Sequence, residues 1–353
     1  MSAANPGAIQ LISAGSSLAP LKRSQASEIA PLSRASAAIS VAMLISNPNL
    51  ARPVALIAGP TASGKTALAL ALAARHDVTI INADSAQVYA NLPILSAQPS
   101  AAELASAPHR LFGYLDGREA CSAARWAKDA LKEIEQAWGE NRIPILVGGT
   151  GLYLRTLFDG ISPIPEIYAD IRGTVRALET ADARHALELE DPASAAAIAP
   201  ADDNRIKRAL EVVRATGRSI IAWREITEGG IGDTIDLRAL ILLPPRDWLY
   251  ERCNQRFEIM IEKGAMEEVI TLIAAKLPAD APVLRAIGVP ELSALQDGTL
   301  SRAKAIELGQ IATRQYAKRQ YTWFRNQSPP AWARFESVYN DSEFDKIERL
   351  LQF

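Results

Sequence analysis

Lys65 and Thr66 close the string Gly59-Pro60-Thr61-Ala62-Ser63-Gly64-Lys65-Thr66, a full match to the phosphate-cradling pattern G-x-x-x-x-G-K-[ST]. Glycines at its first and sixth positions let the chain turn tightly around an anion. The lysine supplies a point charge for outer phosphates, and the threonine hydroxyl is a hard donor for magnesium. The pattern has chemical meaning only between a strand and a helix, and both flanks qualify. Pro53–Ala58 is a short apolar run of buried-strand type, and Ala67–Arg75 is rich in Ala and Leu. A di- or triphosphate is therefore expected here, with its fate left open.

Asp84-Ser85-Ala86-Gln87 follows the apolar run Val78–Asn82. A carboxylate at a strand tip beside a phosphate loop serves as a metal ligand, a general base or a helix N-cap; Gln87, three residues on, suits a capping box. Gly148-Gly149-Thr150-Gly151 follows a third apolar run, Ile143–Val147. Its two readings are a tight turn capped by Thr150, or a hydroxyl brought into the crevice of Asp84 and Lys65. Asn204–Arg208 and Arg252–Arg256 place basic residues three and four apart, hence on one helix face, which by itself describes a solvated surface. Arg314, Lys318, Tyr321 and Arg325 follow i, i+4, i+7, i+11 in a stretch, Thr313–Arg325, that holds no acid. A nucleic-acid backbone is the natural partner of such a stripe.

The elements around these residues alternate strand and helix from Pro53 to about 161, which calls for a parallel sheet covered by helices on both faces. Ligands of such sheets bind beyond the carboxyl ends of the strands, so the three clusters should converge. A loop is expected over Gln87–Asp116. Residues 162–230 read as an all-helical insertion, bounded by Pro163/Pro165 and Gly229-Gly230. The core continues over 231–327 with a strand at Leu237–Leu243 and a basic helix at Ser301–Asn326, followed by a tail at 328–353 holding a short helix near Ser342–Leu351. Residues 1–50, rich in Ala, Ser, Leu and Ile, are expected to be a disordered or non-native extension, with Met43 as an alternative start.

The whole chain has 353 residues, 48% hydrophobic and 22% charged, with net charge −2. No apolar run approaches the roughly 18 residues of a membrane span. Two unpaired cysteines and three histidines argue against a disulfide framework, a zinc site or a His-based centre and point to the cytoplasm.

Taken in order, GPTASGKT, DSAQVY, APHRL, GGTGLYL, NRIKRALEV, RCNQRF, LRAIG and TRQYAKRQYTWFR resemble the tRNA dimethylallyltransferases over about Pro53–Arg325. Where that family continues Tyr-Arg-Glu after LRAIG, this chain has Val289-Pro290-Glu291, and the 50-residue leader is outside the family pattern. The resemblance implies a P-loop NTPase-like fold in a monomer. The implied reaction moves a prenyl group from dimethylallyl diphosphate to the N6 amine of the adenosine 3′ to the tRNA anticodon. It further implies Asp84 as base, Thr150 as orienting hydroxyl, Arg256 (then Arg252) as pyrophosphate clamp, Gly59–Thr66 as diphosphate loop and Mg2+ on Thr66. The tRNA contacts it implies are Asp84, Ser85, Ala86, Gln87, Arg172, Asn204, Arg205, Ile206, Lys207 and Arg208. To these it adds Leu284, Arg285, Ala286, Ile287, Gly288 and Val289, then Thr313, Arg314, Gln315, Tyr316, Ala317, Lys318, Arg319 and Gln320. Three rivals share the loop: a small-molecule kinase, an enzyme that prenylates free AMP or ADP, and a nucleotide-switched RNA-binding protein. The acid-free basic helix has no evident use in the first two, and Asp84 none in the third.

Overall fold

The computed structural model describes residues 51–353, so the reading of 1–50 as an extension lies outside the described residues. Strand β1 (Arg52–Ala58) is buried without alternation from Val54 to Ala58, as a central strand covered on both faces requires. Its successive side chains enter two different cores. Val54, Leu56 and Ala58 join one, and Ala55 and Ile57 the other.

After the phosphate loop come α1 (Lys65–Ala73), β2 (Val78–Asn82), α2 (Ala101–Ser106), β3 (His109–Arg110), α3 (Ala123–Gly139), β4 (Ile143–Gly148) and α4 (Gly151–Asp159). Later in the chain β5 (Ile235–Leu242) and β6 (Ala333–Phe335) complete one six-stranded sheet in the order β3-β2-β4-β1-β5-β6, every pair parallel. Helices α3 and α4 bury Trp126, Ile134 and Leu154 against one face, while α1 buries Leu68 and Leu72 against the other. The strand register is what assembles the site. Ala58 lies opposite Gly148 and Ile241, and Asn82 opposite Val147, so the segments leaving β1, β2 and β4 emerge side by side.

Between Gly160 and Gly230 the chain forms α5 (Ala169–Arg176), α6 (Thr180–Glu190), α7 (Pro192–Ala197), α8 (Asp203–Thr216) and α9 (Ile220–Trp223) around a core of its own that includes Val175, Leu187, Ile206 and Leu210. Its neck is a single antiparallel bridge, Ile161 and Glu228 exchanging backbone bonds of 3.0 Å each.

Four helices then return to the sheet: α10 (Arg246–Glu262), α11 (Ala265–Ala274), α12 (Val289–Gln296) and the 26-residue α13 (Arg302–Gln327). Pro290 sits in the first turn of α12, where a missing N–H costs nothing, and Glu291 accepts from the Gly288 N–H at 3.0 Å. Val289-Pro290-Glu291 is thus a helix start.

Two sequence expectations are corrected. The span Gln87–Asp116 is not all loop: Ser100 and Glu103 form a capping box that starts α2, and β3 adds to the sheet. Residues 328–353 are not a tail outside the core. β6 pairs with β5, and α14 (Phe344–Leu350) buries Phe344 and Ile347 in the second core, because the outer face of α1 and the edge of β5 otherwise stay bare.

Gly309 tests the packing of α13 on α10. A Cβ there would overlap the buried Phe257 ring. Helix propensity alone makes Gly309→Ala stabilising by about 1 kcal/mol. Overpacking predicts the opposite sign, a loss of about 1–3 kcal/mol. A fall in the urea midpoint is expected; a rise would contradict this packing.

Candidate active site

The phosphate loop makes its turns with Gly59 at φ 145° and Gly64 at φ 96°, the latter being the residue from which α1 starts. A Cβ on Gly59 would run into the Leu242 carbonyl, so that position has no room for another residue. Ala62 also has positive φ, at 64°, a conformation that non-glycine residues rarely adopt and that ligand-binding loops often store. Lys65 Nζ folds back to the Pro60 carbonyl at 2.7 Å.

Asp84 is held by an Asx network one strand away. Asn82, fully buried, donates from Nδ2 to the carbonyls of Asp84 and Leu111, both at 3.0 Å, and its Oδ1 accepts from the Asp84 N–H at 2.8 Å. Asp84 Oδ1 accepts from the Ala86 N–H at 3.0 Å; among the described residues Oδ2 has no donor. No helix follows and no capping box forms. Gln87 instead donates to the carbonyls of Ser96 and Ala97, at 2.9 Å each, fixing the next loop. Thr150 precedes α4 without capping it. Its hydroxyl accepts from the Ser85 N–H at 2.9 Å and donates to Ser85 Oγ at 3.2 Å, and the Tyr316 phenol hydrogen-bonds to both side chains. The cap readings of Asp84 and Thr150 therefore give way to a cross-loop network.

Of these groups Asp84, Ser85, Gln87, Lys65 and Tyr316 line one cavity of about 730 Å³, while Asn82 and Thr150 stand behind its wall. Its polar lining holds Thr61–Thr66, Asp84, Glu103 and Arg256, with Arg252, Arg285 and Arg319; its apolar wall holds Leu95, Tyr153, Phe257, Met260, Val283 and Ile287. Tyr153 is fixed by stacking on Trp126 at 4.7 Å. The apolar wall went unseen in the sequence, since its members come from separate segments and each reads as ordinary core.

Helix α13 divides the stripe expected from spacing. Lys318, Arg319 and Arg325 are exposed, but Arg314 is half-buried and bonded to Asn254, and Tyr321 lies under Arg246 at 4.8 Å. Ala317 is fully buried and Gln320 is 5% exposed, so neither offers a side chain to RNA, because a packed helix presents only one face. The same holds for Ile206 in the insert core and for Val289. Arg172, Asn204, Arg205, Lys207 and Arg208 lie on the insert and do not line the cavity. Three of them are ion-paired: Arg205 with Asp202 at 3.2 Å, Lys207 with Asp203 at 3.0 Å and Arg208 with Glu211 at 3.4 Å.

A family model described as IPP transferase matches residues 87–327. The chain belongs to the IPP transferase family. Like others of the IPP transferase family, it is a prenyl-transferring enzyme. It is 57% identical over 282 residues to a tRNA dimethylallyltransferase of Sphingopyxis alaskensis, covering 80% of this chain and 92% of that one. With its counterpart from Erythrobacter litoralis it shares 56% over 304 residues, 84% and 94% of the two chains. Among solved structures, the full-length tRNA isopentenylpyrophosphate transferase of Bacillus halodurans superposes with TM-score 0.61 at 31% identity, over 85% of this chain and 97% of the other. A eukaryotic dimethylallyltransferase captured acting on tRNA gives 0.67 at 29% identity, over 77% and 69%.

Electrostatically, the IPP transferase cavity is poised for an anion. Burial pulls the Lys65 ammonium down to about 8, with Asp84 opposing and Arg256 reinforcing the fall. Burial also lowers the Arg256 guanidinium, again against Asp84. It raises the Tyr316 phenol, assisted by the Asp84 charge, so Tyr316 stays a neutral hydrogen-bonding group. Among the described residues no cluster of three or more His, Cys, Asp or Glu forms a metal cage. The oxygen donors Thr66 and Asp84 on the cavity wall do suit magnesium, which takes most of its ligands from substrate phosphates and water.

A bound diphosphate should raise the Lys65 pKa above the value of about 8 to which burial lowers it. Binding should then take up a proton, and pyrophosphate affinity should fall by about tenfold per pH unit above that value. Calorimetry in buffers of different ionisation enthalpy measures the uptake. Lys65→Met, which has no proton to gain, should lose it; identical uptake in that variant would assign the proton elsewhere.

Proposed function

We propose that this protein transfers the dimethylallyl group of dimethylallyl diphosphate to the N6 amine of the adenosine 3′ to the anticodon of tRNA, releasing pyrophosphate. The observation that carries this reading is the meeting of Asp84 with the phosphate loop and Lys65 in one cavity. A proton acceptor for the nucleophile and a cradle for the leaving group then flank a single reaction path. Adenine's amine is a weak nucleophile because its lone pair is delocalised into the ring. As its nitrogen bonds to C1 of the dimethylallyl group, the C1–O bond breaks and the amine proton passes to Asp84 Oδ2. Thr150 acts on the amine's orientation through Ser85 and Tyr316, the cavity-lining groups that it contacts.

The loop N–H groups at the start of α1, with Lys65 and Arg256, hold pyrophosphate through charge fixed in advance. Thr66 would hold a magnesium ion together with the diphosphate, and that ion would supply further positive charge for the departing group. The target adenosine leaves its stack to bring its amine to Asp84 in the cavity, and the apolar wall suits the dimethylallyl chain. The anticodon loop is received by the exposed basic face Lys318, Arg319 and Arg325, with Arg285 on the cavity lining. We place this reaction in the cytoplasm, in a monomer; no helix of the described residues is long and apolar enough to cross a membrane. Nucleoside mass analysis of tRNA incubated with the protein and dimethylallyl diphosphate, against ATP in its place, tests the reaction directly.

Asp84→Ala should lower turnover by about two to four orders of magnitude while tRNA and diphosphate still bind. Near-parental turnover would return Asp84 to its Asx turn alone. Lys318→Ala combined with Arg325→Ala should raise the KM for tRNA and reduce the salt slope of binding by roughly one unit per charge removed. Diphosphate affinity should not move. An unchanged salt slope would make this face an ordinary solvated one.

A further inference from the structure

We propose that Gln320 is a positioning residue for the transfer, its side-chain amide holding the phosphate loop and the Gly149-Thr150 turn in one fixed relation. This role presupposes the transfer reaction proposed above. A buried primary amide must find partners for its donor and acceptor ends, and where it finds them shows what it holds. Gln320 Oε1 accepts from the Thr61 N–H at 2.8 Å, and Nε2 donates to the Gly149 carbonyl at 2.9 Å. Thr61 belongs to the loop after β1 and Gly149 to the turn after β4. One carries the leaving group and the other carries the hydroxyl beside the nucleophile. The amide bridges the two backbones directly. A Cβ on Gly149 would overlap the Gln320 amide nitrogen, so the turn is glycine where the bridge is made.

Two consequences follow. The Thr61 N–H is already occupied, so anion binding falls to the N–H groups that begin α1. Gln320 also sits one turn beyond Tyr316 on the same face of α13, and Tyr316 hydrogen-bonds to Thr150 and Ser85. Side chains of one helix thus set the separation of base, orienting hydroxyl and phosphate loop. A shift of about 1 Å in such a relation costs on the order of a hundredfold in rate. An RNA contact, which the family resemblance implied for Gln320, needs a free amide, and this one is 5% exposed with both ends engaged.

Gln320→Glu supplies a titratable copy of the bridge. A neutral carboxyl still accepts from the Thr61 N–H and donates to the Gly149 carbonyl; a carboxylate sets an unpaired oxygen against that carbonyl. Measured as a ratio to the parent enzyme, the shared ionisations of Lys65, Asp84, Arg256 and Tyr316 cancel. The kcat ratio should lie near unity at low pH and fall by on the order of a hundredfold as the carboxyl ionises, with the KM for tRNA unchanged. Gln320→Met, of similar length but without the bonds, should be slow at every pH. A flat Gln320→Glu ratio, or a raised tRNA KM with kcat intact, would overturn the role. If Gln320→Glu does not fold, the Met variant decides: lower kcat at constant tRNA KM supports bridging, and unchanged kcat refutes it. Pyrophosphate binding is followed separately. A parent that binds pyrophosphate but prenylates no tRNA overturns the reaction itself, while loss of pyrophosphate affinity as the introduced carboxyl ionises would still report the bridge.

Discussion

The backbone-close approach of α13 to the strand tips is the constraint from which the rest of the structure follows. Parallel strands end with peptide groups that the sheet no longer pairs, and those groups must be satisfied or exposed. Here a 26-residue helix is laid across them at two glycines, Gly149 under Gln320 and Gly151 under Trp323, while its own Gly309 seats it against Phe257 of α10. Side chains larger than hydrogen at these points would hold the helix away. The loops after β1 and β4 would then lose their common support, and Thr150 would lose Tyr316.

Within that frame the charges of the cavity are unbalanced. Lys65 and Arg256 are both lowered by burial, and Asp84 is the one acid that each of them senses most strongly. Two desolvated cations beside one carboxylate are costly to hold without an anion. The arrangement is preorganised for a multiply charged ligand and disfavours the same pocket in neutral company. The apolar wall contributes no compensating charge.

What was legible in the sequence was local. Gly59–Thr66, Asp84 and Gly149-Thr150 each announce themselves by a strand, a punctuation residue and a polar side chain in succession, and strand register then brings them together. The insert was legible as a change of period. Elements of two or three residues carry no period at all, which is why β3 and β6 were missed and 328–353 passed for a tail. The stripe on α13 misled in part because spacing tells which residues share a face, not what that face meets. Arg314 and Tyr321 turn out to meet α10. One clue was available: Gln320 falls in register with Ala317 and Phe324, a polar side chain on an otherwise buried face.

The sheet order also has a temporal meaning. β1 is made early, yet one of its two neighbours is β5, whose residues come about 180 positions later, and β6 on the outside comes later still. At ribosomal speeds of roughly 5–20 residues per second, β1 waits on the order of ten seconds or more for that partner. Until then the phosphate loop hangs from a half-built sheet with one apolar edge open. The insert, whose contacts are local and whose core is its own, has no such wait. During synthesis this chain therefore carries a finished helical subdomain ahead of an unfinished catalytic one, and the interval between them is where a chaperone would find it.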